Sequence, residues 1–305
     1  MSPRIAVLIS TFNGEAWLAA QLDSLLAQRG VSLEVFARDD GSSDGTLAIL
    51  AGYARHWPAL AAPLTGDNLG PAASFLTLLA AVPGDFDAYA FCDQDDVWLP
   101  DKLARAAQHL AEIPGAALYC SRVMCVDTAL RAIGPAPIKN DTRFEALLFE
   151  NIAFGVTVVM NPAAAGLVRE RLPARGAIIM HDWWCALVIS ALGRVTYDPE
   201  PGVLYRQHGG NQIGQTIGKA GEIVRLTRMF LRAPKRFWPV RAQAAELLRL
   251  RGEALKPADR ALAETFVASR RSLRSRLAYA LTGKVTRTDL MWVLAARTLI
   301  ALGLY

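Results

Sequence analysis

Cysteine is scarce in this chain and is never paired in sequence. The four cysteines among 305 residues (Cys92, Cys120, Cys125 and Cys185) show no C-x-x-C spacing and fall mostly in apolar runs. That excludes a disulfide scaffold and argues against a zinc site. They read as reduced core residues of a cytosolic protein. Long hydrophobic runs are also missing. The most apolar stretch, residues 290–305, is interrupted by Arg297 and falls short of the roughly twenty residues a membrane span needs, so it reads as an interfacial or core helix. No secretory leader is expected at the start. The apolar run at 5–9 is too short, and polar Ser10, Thr11 and Asn13 follow it with no small-residue cleavage site. Internal repeats and low-complexity linkers are absent too. A hydrophobic content of 52% against 20% charged residues excludes disorder, and the length allows one large domain or a domain plus an extension.

Charge is present but unevenly placed. The net charge of +5 conceals 15 Lys/Arg against 22 Asp/Glu through Gly214, and 18 against 6 from Gln215 onward. Such asymmetry implies a catalytic half, 1–214, joined to a basic region, 215–305, that faces something anionic. Aromatic residues are sparse among these arginines and no nucleic-acid motif appears, so nucleic acid is not the expected partner.

The first two hundred residues alternate strand and helix patterns. Strands are predicted at 5–9, 33–37, 89–92, 117–126, 155–160, 195–198 and 203–206, with a strand-like run at 177–180. Helices are predicted at 15–28, 46–55, 74–79, 101–112 and 181–192. This alternation predicts an α/β fold, a mostly parallel sheet flanked by helices, whose ligands collect at the carboxyl ends of the strands. Those ends carry Ser10-Thr11-Phe12-Asn13, Asp39-Asp40 and Asp93-Gln94-Asp95-Asp96. After 214 the pattern turns to arginine-rich helices, predicted at 223–231, 240–251 and 259–280.

Three carboxylates within four positions at a strand end repel one another unless a cation neutralises them. Hard oxygen ligands select Mg²⁺ or Mn²⁺, which bridge carboxylates to phosphate. An acidic turn capping the helix after Pro100 is the other reading of the same residues. Asp39-Asp40-Gly41-Ser42 can likewise be an Asx-type turn or a carboxylate aimed at a nucleoside, and Asp44 a helix cap.

Five motifs together resemble family 2 inverting glycosyltransferases with the GT-A fold, in the rhamnosyltransferase-like branch of bacterial cell-surface polysaccharide synthesis. They are the run from Ile5 to Asn13, Asp39-Asp40-Gly41-Ser42-Ser43-Asp44-Gly45-Thr46, Cys92-Asp93-Gln94-Asp95-Asp96-Val97-Trp98, His181-Asp182-Trp183-Trp184 and Tyr205-Arg206-Gln207-His208. The resemblance implies a Rossmann-like GT-A catalytic domain over 1–214 and a nucleotide-sugar donor, with dTDP-rhamnose the donor to expect. It assigns Asp182 as general base. Asp40 holds the base, with Ser10 and Phe12 completing the nucleoside pocket and Asp93 on the ribose or in the ion's shell. Asp95 binds the divalent ion, His208 is a further ligand, and Arg206 contacts diphosphate. Asn68, Thr157, Trp183 and Trp184 fall where donor or acceptor sugars are lined. Each has a bland counterpart: Asp182 as helix cap, His208 as a structural histidine, one of the two tryptophans as core, and turn or strand chemistry for Asn68 and Thr157. The Gly-rich stretch toward Gly218 suits a lid.

The acceptor implied is a saccharide or a polyprenyl-diphosphate-linked glycan, which makes the protein cytoplasmic and peripheral at the inner face of the plasma membrane. Arginines on amphipathic helices beside Trp238 and Trp292 fit an anionic membrane surface. The alternatives are a helical lid packed on the catalytic domain or a dimerisation surface. Two other functions remain open in the sequence. A nucleotidylyltransferase would need a basic Gly-rich loop that 10–15 lacks, and a silent glycan-binding scaffold would not need Asp40, Asp95 and Asp182.

Overall fold

Residues 5–9 are all fully buried, as a strand covered on both faces must be. They lie in β1 (Arg4–Thr11) of a computed structural model that describes residues 2–209 and 239–305. The chain continues through α1 (Leu18–Leu26), β2 (Ser32–Asp39), α2 (Thr46–Ala54), β3 (Leu64–Thr65), α3 (Pro71–Ala81), β4 (Ala88–Cys92), β5 (Val97–Trp98) and α4 (Lys102–Ala111). Then come β6 (Ala117–Ser121), β7 (Met124–Val126), β8 (Ala132–Pro135), α5 (Phe144–Leu147), β9 (Val159–Met160), α6 (Pro162–Glu170), α7 (His181–Leu192), β10 (Arg194–Asp198) and β11 (Val203–Arg206). Four further helices close the described chain: α8 (Pro239–Arg251), α9 (Pro257–Ala268), α10 (Leu273–Thr282) and α11 (Leu290–Leu302). The predicted helix at 223–231, Trp238 and the stretch from 210 to Gly218 lie outside the described residues.

Seven strands form the main sheet in the order β10-β6-β9-β4-β1-β2-β3, all parallel except β9, which runs antiparallel to β4 and β6. A smaller sheet, β5-β11-β7-β8, stands beside it. Alternation along β1 assigns its faces. Ala6 and Leu8 pack with Phe75, Leu78 and Leu79 of α3 and Leu187 of α7. Ile5, Val7 and Ile9 pack with Leu18 and Leu22 of α1, Leu50 of α2 and Leu103 of α4. Register then sets the rim of the site. Thr11 pairs with Asp39 and Ile9 with Cys92, so the carboxyl ends of β1, β2 and β4 finish at one edge.

The C-terminal helices share the first of these cores. Ala244 and Leu247 of α8, Phe266 of α9, Tyr279 of α10 and Leu299 and Ile300 of α11 belong to the same buried cluster as Phe75 and Leu187. No helix among the described residues is long and apolar enough to cross a membrane.

The differences from the predicted elements have local causes. The first helix begins at Leu18, not Glu15, because Asn13 takes a positive φ of 48° and residues 14–17 close a turn. The predicted strand 117–126 is two strands in two sheets, β6 and β7. At 155–160 a 3₁₀ turn, Gly155–Thr157, precedes the short β9. Residues 177–180 are not a strand; Ile179 donates its amide to Gln243 Oε1 of α8 at 3.1 Å instead. The helix predicted over 259–280 is broken at Ser269–Arg271 and restarts at a capping box formed by Ser272 and Ser275.

Candidate active site

The three strand ends open into a cavity of ≈ 680 Å³. At one end lie Ser10, Phe12, Asp40 and Asn68. Ser10 Oγ lies 2.7 Å from Ser74 Oγ. The buried Asp40 carboxylate pairs with the Arg38 guanidinium through Oδ1. Its Oδ2 accepts from the Leu69 and Gly70 amides at 3.0 and 2.9 Å. Its neighbour Asp39 is the turn-former: it accepts from the Ser42 amide at 2.8 Å and from Thr11 Oγ1 at 2.9 Å, while Gly41 takes the positive φ of 84° that the sharp turn requires. Asp44 accepts from the Thr46 amide at 3.0 Å at the start of α2. Asn68 is exposed and accepts from the Gly70 amide at 2.9 Å.

The acid cluster sits next to this end. Asp93, Gln94 and Asp95 line the cavity, whereas Asp96 is fully buried and accepts from the Arg206 amide at 2.8 Å. Burial, together with the charges of Asp95 and Asp182, pushes Asp93 up to about 8, against the pull of Lys102. Burial likewise holds Asp96 well above the usual carboxylate range. Lys102 is itself sealed in, 3.2 Å over the Trp98 ring, and burial lowers it to about 7. His208 Nε2 stands 2.8 Å from Asp95 Oδ2, with its ring stacked on Trp17. The crowded carboxylates are hard donors that suit Mg²⁺ or Mn²⁺, and the imidazole is a borderline donor beside them. Among the described residues no three Asp, Glu, His or Cys side chains converge on one ion position. Asp95 and His208, 2.8 Å apart, offer few protein donors, as suits an ion whose shell is completed by phosphate and water.

Asp182 opens onto the same cavity from the first turn of α7. Burial pushes its carboxyl up to about 6, although the Trp183 amide donates to Oδ1 at 2.6 Å and the Asn151 side chain and Gly155 amide also hold it. Gly155 makes this approach possible: a Cβ there would fall 3.0 Å from His181 Nε2 and 3.6 Å from Asp182 Oδ2. His181 cannot yield, being stacked on Phe75 at 4.0 Å and edge-on to Phe91 at 4.7 Å. A carboxylate in this position, ionised near neutrality, has what a general base requires.

Residues 6–160, half of the chain, match the family described as glycosyl transferase family 2. The chain belongs to that family. Over 226 residues it is 30% identical to the dTDP-rhamnosyl transferase RfbG of Shigella flexneri, covering 72% of this chain and 78% of that protein. Among solved structures it resembles S. aureus TarS 1-349 in complex with UDP-GlcNAc, with a TM-score of 0.61 at 19% identity over 98% of this chain and 81% of that one. It also resembles the mannosyltransferase PcManGT from Pyrobaculum calidifontis in complex with GDP-Man and Mn²⁺, with a TM-score of 0.50 at 19% identity over 99% and 86%. These likenesses give the glycosyltransferase its GT-A fold.

Beyond Asp182 the glycosyltransferase walls its cavity with its own C-terminal helices, through Arg287 and through Trp292, Ala295 and Leu299 of α11. Trp183 lines the cavity and donates Nε1 to the Leu147 carbonyl at 2.6 Å. Trp184 does not reach it; α7 is buried on both faces and Trp184 faces the core. Thr157 is also fully buried, its hydroxyl donating to the Phe154 carbonyl at 2.8 Å within the 3₁₀ turn. Arg206 stands off the cavity, donating Nε to the Asp95 carbonyl at 2.9 Å and Nη1 to the Thr128 carbonyl at 2.7 Å. It braces the acid loop from behind.

Sequence reasoning missed Gln94, whose amide accepts from the Phe12 N–H at 2.9 Å and donates to the Phe12 carbonyl at 3.0 Å. Its only signal was its place between two acids. Arg38 and Lys102 were missed because a cation's partner depends on how the chain turns: Arg38 reaches past Asp39 to Asp40, and Lys102 lies near Asp93 and Asp96.

Proposed function

We propose that this glycosyltransferase is inverting and metal-dependent, and that it moves L-rhamnose from dTDP-rhamnose onto a saccharide or polyprenyl-diphosphate-linked acceptor. Residues 1–214 would carry the donor site and 215–305 the acceptor end, at the inner face of an anionic membrane. The observation that carries the reading is Asp182: a buried carboxylate raised to about 6, facing the cavity that Asp93 and Asp95 also line. The choice of rhamnose leans on the 30% identity to a protein named as a dTDP-rhamnosyl transferase.

In this reading Asp40, Ser10 and Phe12 receive the nucleoside, and Asn68 with Trp183 flanks the sugars. The acceptor hydroxyl gives its proton to Asp182 as its oxygen bonds to the anomeric carbon. The bond from that carbon to the diphosphate oxygen breaks in the same displacement, and the nucleoside diphosphate leaves. One displacement inverts the centre, so no enzyme nucleophile is required. A divalent ion held by Asp95 with Asp93 and His208 would neutralise charge on the departing diphosphate. Thermal-shift titration with dTDP-rhamnose, UDP-glucose, UDP-galactose and GDP-mannose, each with and without Mn²⁺, tests the donor. The midpoint should rise with dTDP-rhamnose in the presence of metal, because a ligand bound to the folded state stabilises it. An equal response to all four, or to none, defeats the assignment.

A further inference from the structure

Six of the fourteen large hydrophobic side chains exposed on the described residues are leucines of α10 and α11. On α10 they are Leu273, Leu277 and Leu281, four apart and so on one face; on α11 they are Leu290, Leu294 and Leu302. Leu281 is 80% exposed and Leu290 73%. Two threonines on these helices offer little to water, because Thr282 and Thr298 turn their hydroxyls to the carbonyls of Ala278 and Leu294 at 2.8 and 2.9 Å. Arg297, the one charged residue of α11, donates to the carbonyls of Ala280, Leu281 and Gly283. Its charge is spent closing the end of α10. Opposite the exposed stripe, α11 presents Trp292 and Leu299 to the cavity.

The surroundings of this patch are basic. Residues 270–305 hold seven Lys/Arg against the single acid Asp289. Arg271 and Arg274 are exposed and form no ion pair with any described residue. Two copies meeting through this patch would bring like charges together. Leucines among unpaired arginines instead match a bilayer surface with anionic headgroups.

We propose that the leucine stripes of α10 and α11 enter the headgroup layer of an anionic bilayer while Arg271 and Arg274 contact its phosphates, which sets the acceptor end of the cavity against the membrane. The inference deepens the reading of a lipid-linked acceptor and rests on it. Flotation of the full chain with phosphatidylcholine vesicles, with and without phosphatidylglycerol, tests it. Binding should require phosphatidylglycerol. The pair Leu281→Glu and Leu290→Glu should lower it more than tenfold (roughly, since each replaces buried apolar surface by charge). The pair Arg271→Gln and Arg274→Gln should lower it about 25-fold, each charge being worth about fivefold near such a surface. Both variants should keep the wild-type melting midpoint and the donor-induced shift. Failure of the wild type to float, or floating undiminished in the Leu→Glu pair, overturns the proposal. So does a stable dimer that the Leu→Glu pair dissociates, which would assign the face to a second copy. Vesicle binding without donor stabilisation would keep the membrane face and remove the dTDP-rhamnose reading; donor stabilisation without vesicle binding would do the reverse.

Discussion

His208 Nε2 and Asp95 Oδ2 lie 2.8 Å apart at the edge of the cavity, joining the last described strand to the acid loop. If both hold one ion, His208→Ala and Asp95→Ala should each weaken metal binding by at least the roughly 10–100-fold that losing an outer partner costs. The check is the donor-induced rise in melting midpoint across a Mn²⁺ titration, with EDTA as the zero point. Retention of full metal dependence in His208→Ala would reduce the histidine to a brace.

Asp182→Asn should lower kcat by about 10²–10⁴-fold, the usual worth of a general base, while leaving donor binding intact. Wild-type activity should rise with pH through about 6, as the carboxylate loses its proton. Stability runs the other way. The folded-state value lies above the unfolded one, so the protonated form supports the fold at low pH, and that support is lost as pH rises from about 4 to about 6. Above that window Asp182→Asn should be more stable than wild type by up to about 3 kcal/mol. Below pH ~4 the difference should vanish. Urea midpoints at the two ends of the window would decide it.

Gly155→Ala adds a methyl group 3.0 Å from a His181 ring pinned between Phe75 and Phe91. The cost should be about 1–3 kcal/mol of overpacking. Activity should fall about 10²-fold through a displaced Asp182. Donor binding at the far end should stay unchanged by calorimetry. A variant with wild-type turnover would show that the approach has slack.

Arg38→Met should be among the most damaging single changes, because it strands Asp40 as a buried charge, at about 3–5 kcal/mol. Adding Asp40→Asn should recover most of that loss. A double variant no more stable than the single one would trace the loss to the other contacts of Arg38, at Ser74 Oγ and the Asp67 carbonyl.

Much of this arrangement could be read in the sequence because strand ends announce themselves. The apolar run before Asp93 and the turn after Asp39 each place a carboxylate at a parallel sheet's edge. The helix pattern after His181 places Asp182 at a helix start, and the structure brings Asp40, Asp93, Asp95 and Asp182 to one cavity. What stayed hidden depends on packing across the chain. Trp183 and Trp184 are adjacent and identical in type, yet α7 turns one to the cavity and the other to the core. Thr157 looked like a strand residue facing a pocket, but a 3₁₀ turn folds its hydroxyl onto its own backbone. Arg206 looked like a phosphate contact until its carbonyl partners, at Asp95 and Thr128, were in place. The part played by α11 in the cavity had no signature at all, since Trp292 and Leu299 follow ordinary helical spacing.

The clasp between Gln94 and the Phe12 backbone makes one mechanical unit of two loops that the sequence keeps eighty-two residues apart. If a nucleobase packs on Phe12 and an ion sits at Asp95 as proposed, a shift at either one is passed through Gln94 to the other. The two affinities would then be linked, each changing the other by the same factor. Discrimination between nucleotides should accordingly vary with the ion supplied, and should lose that dependence in Gln94→Ala.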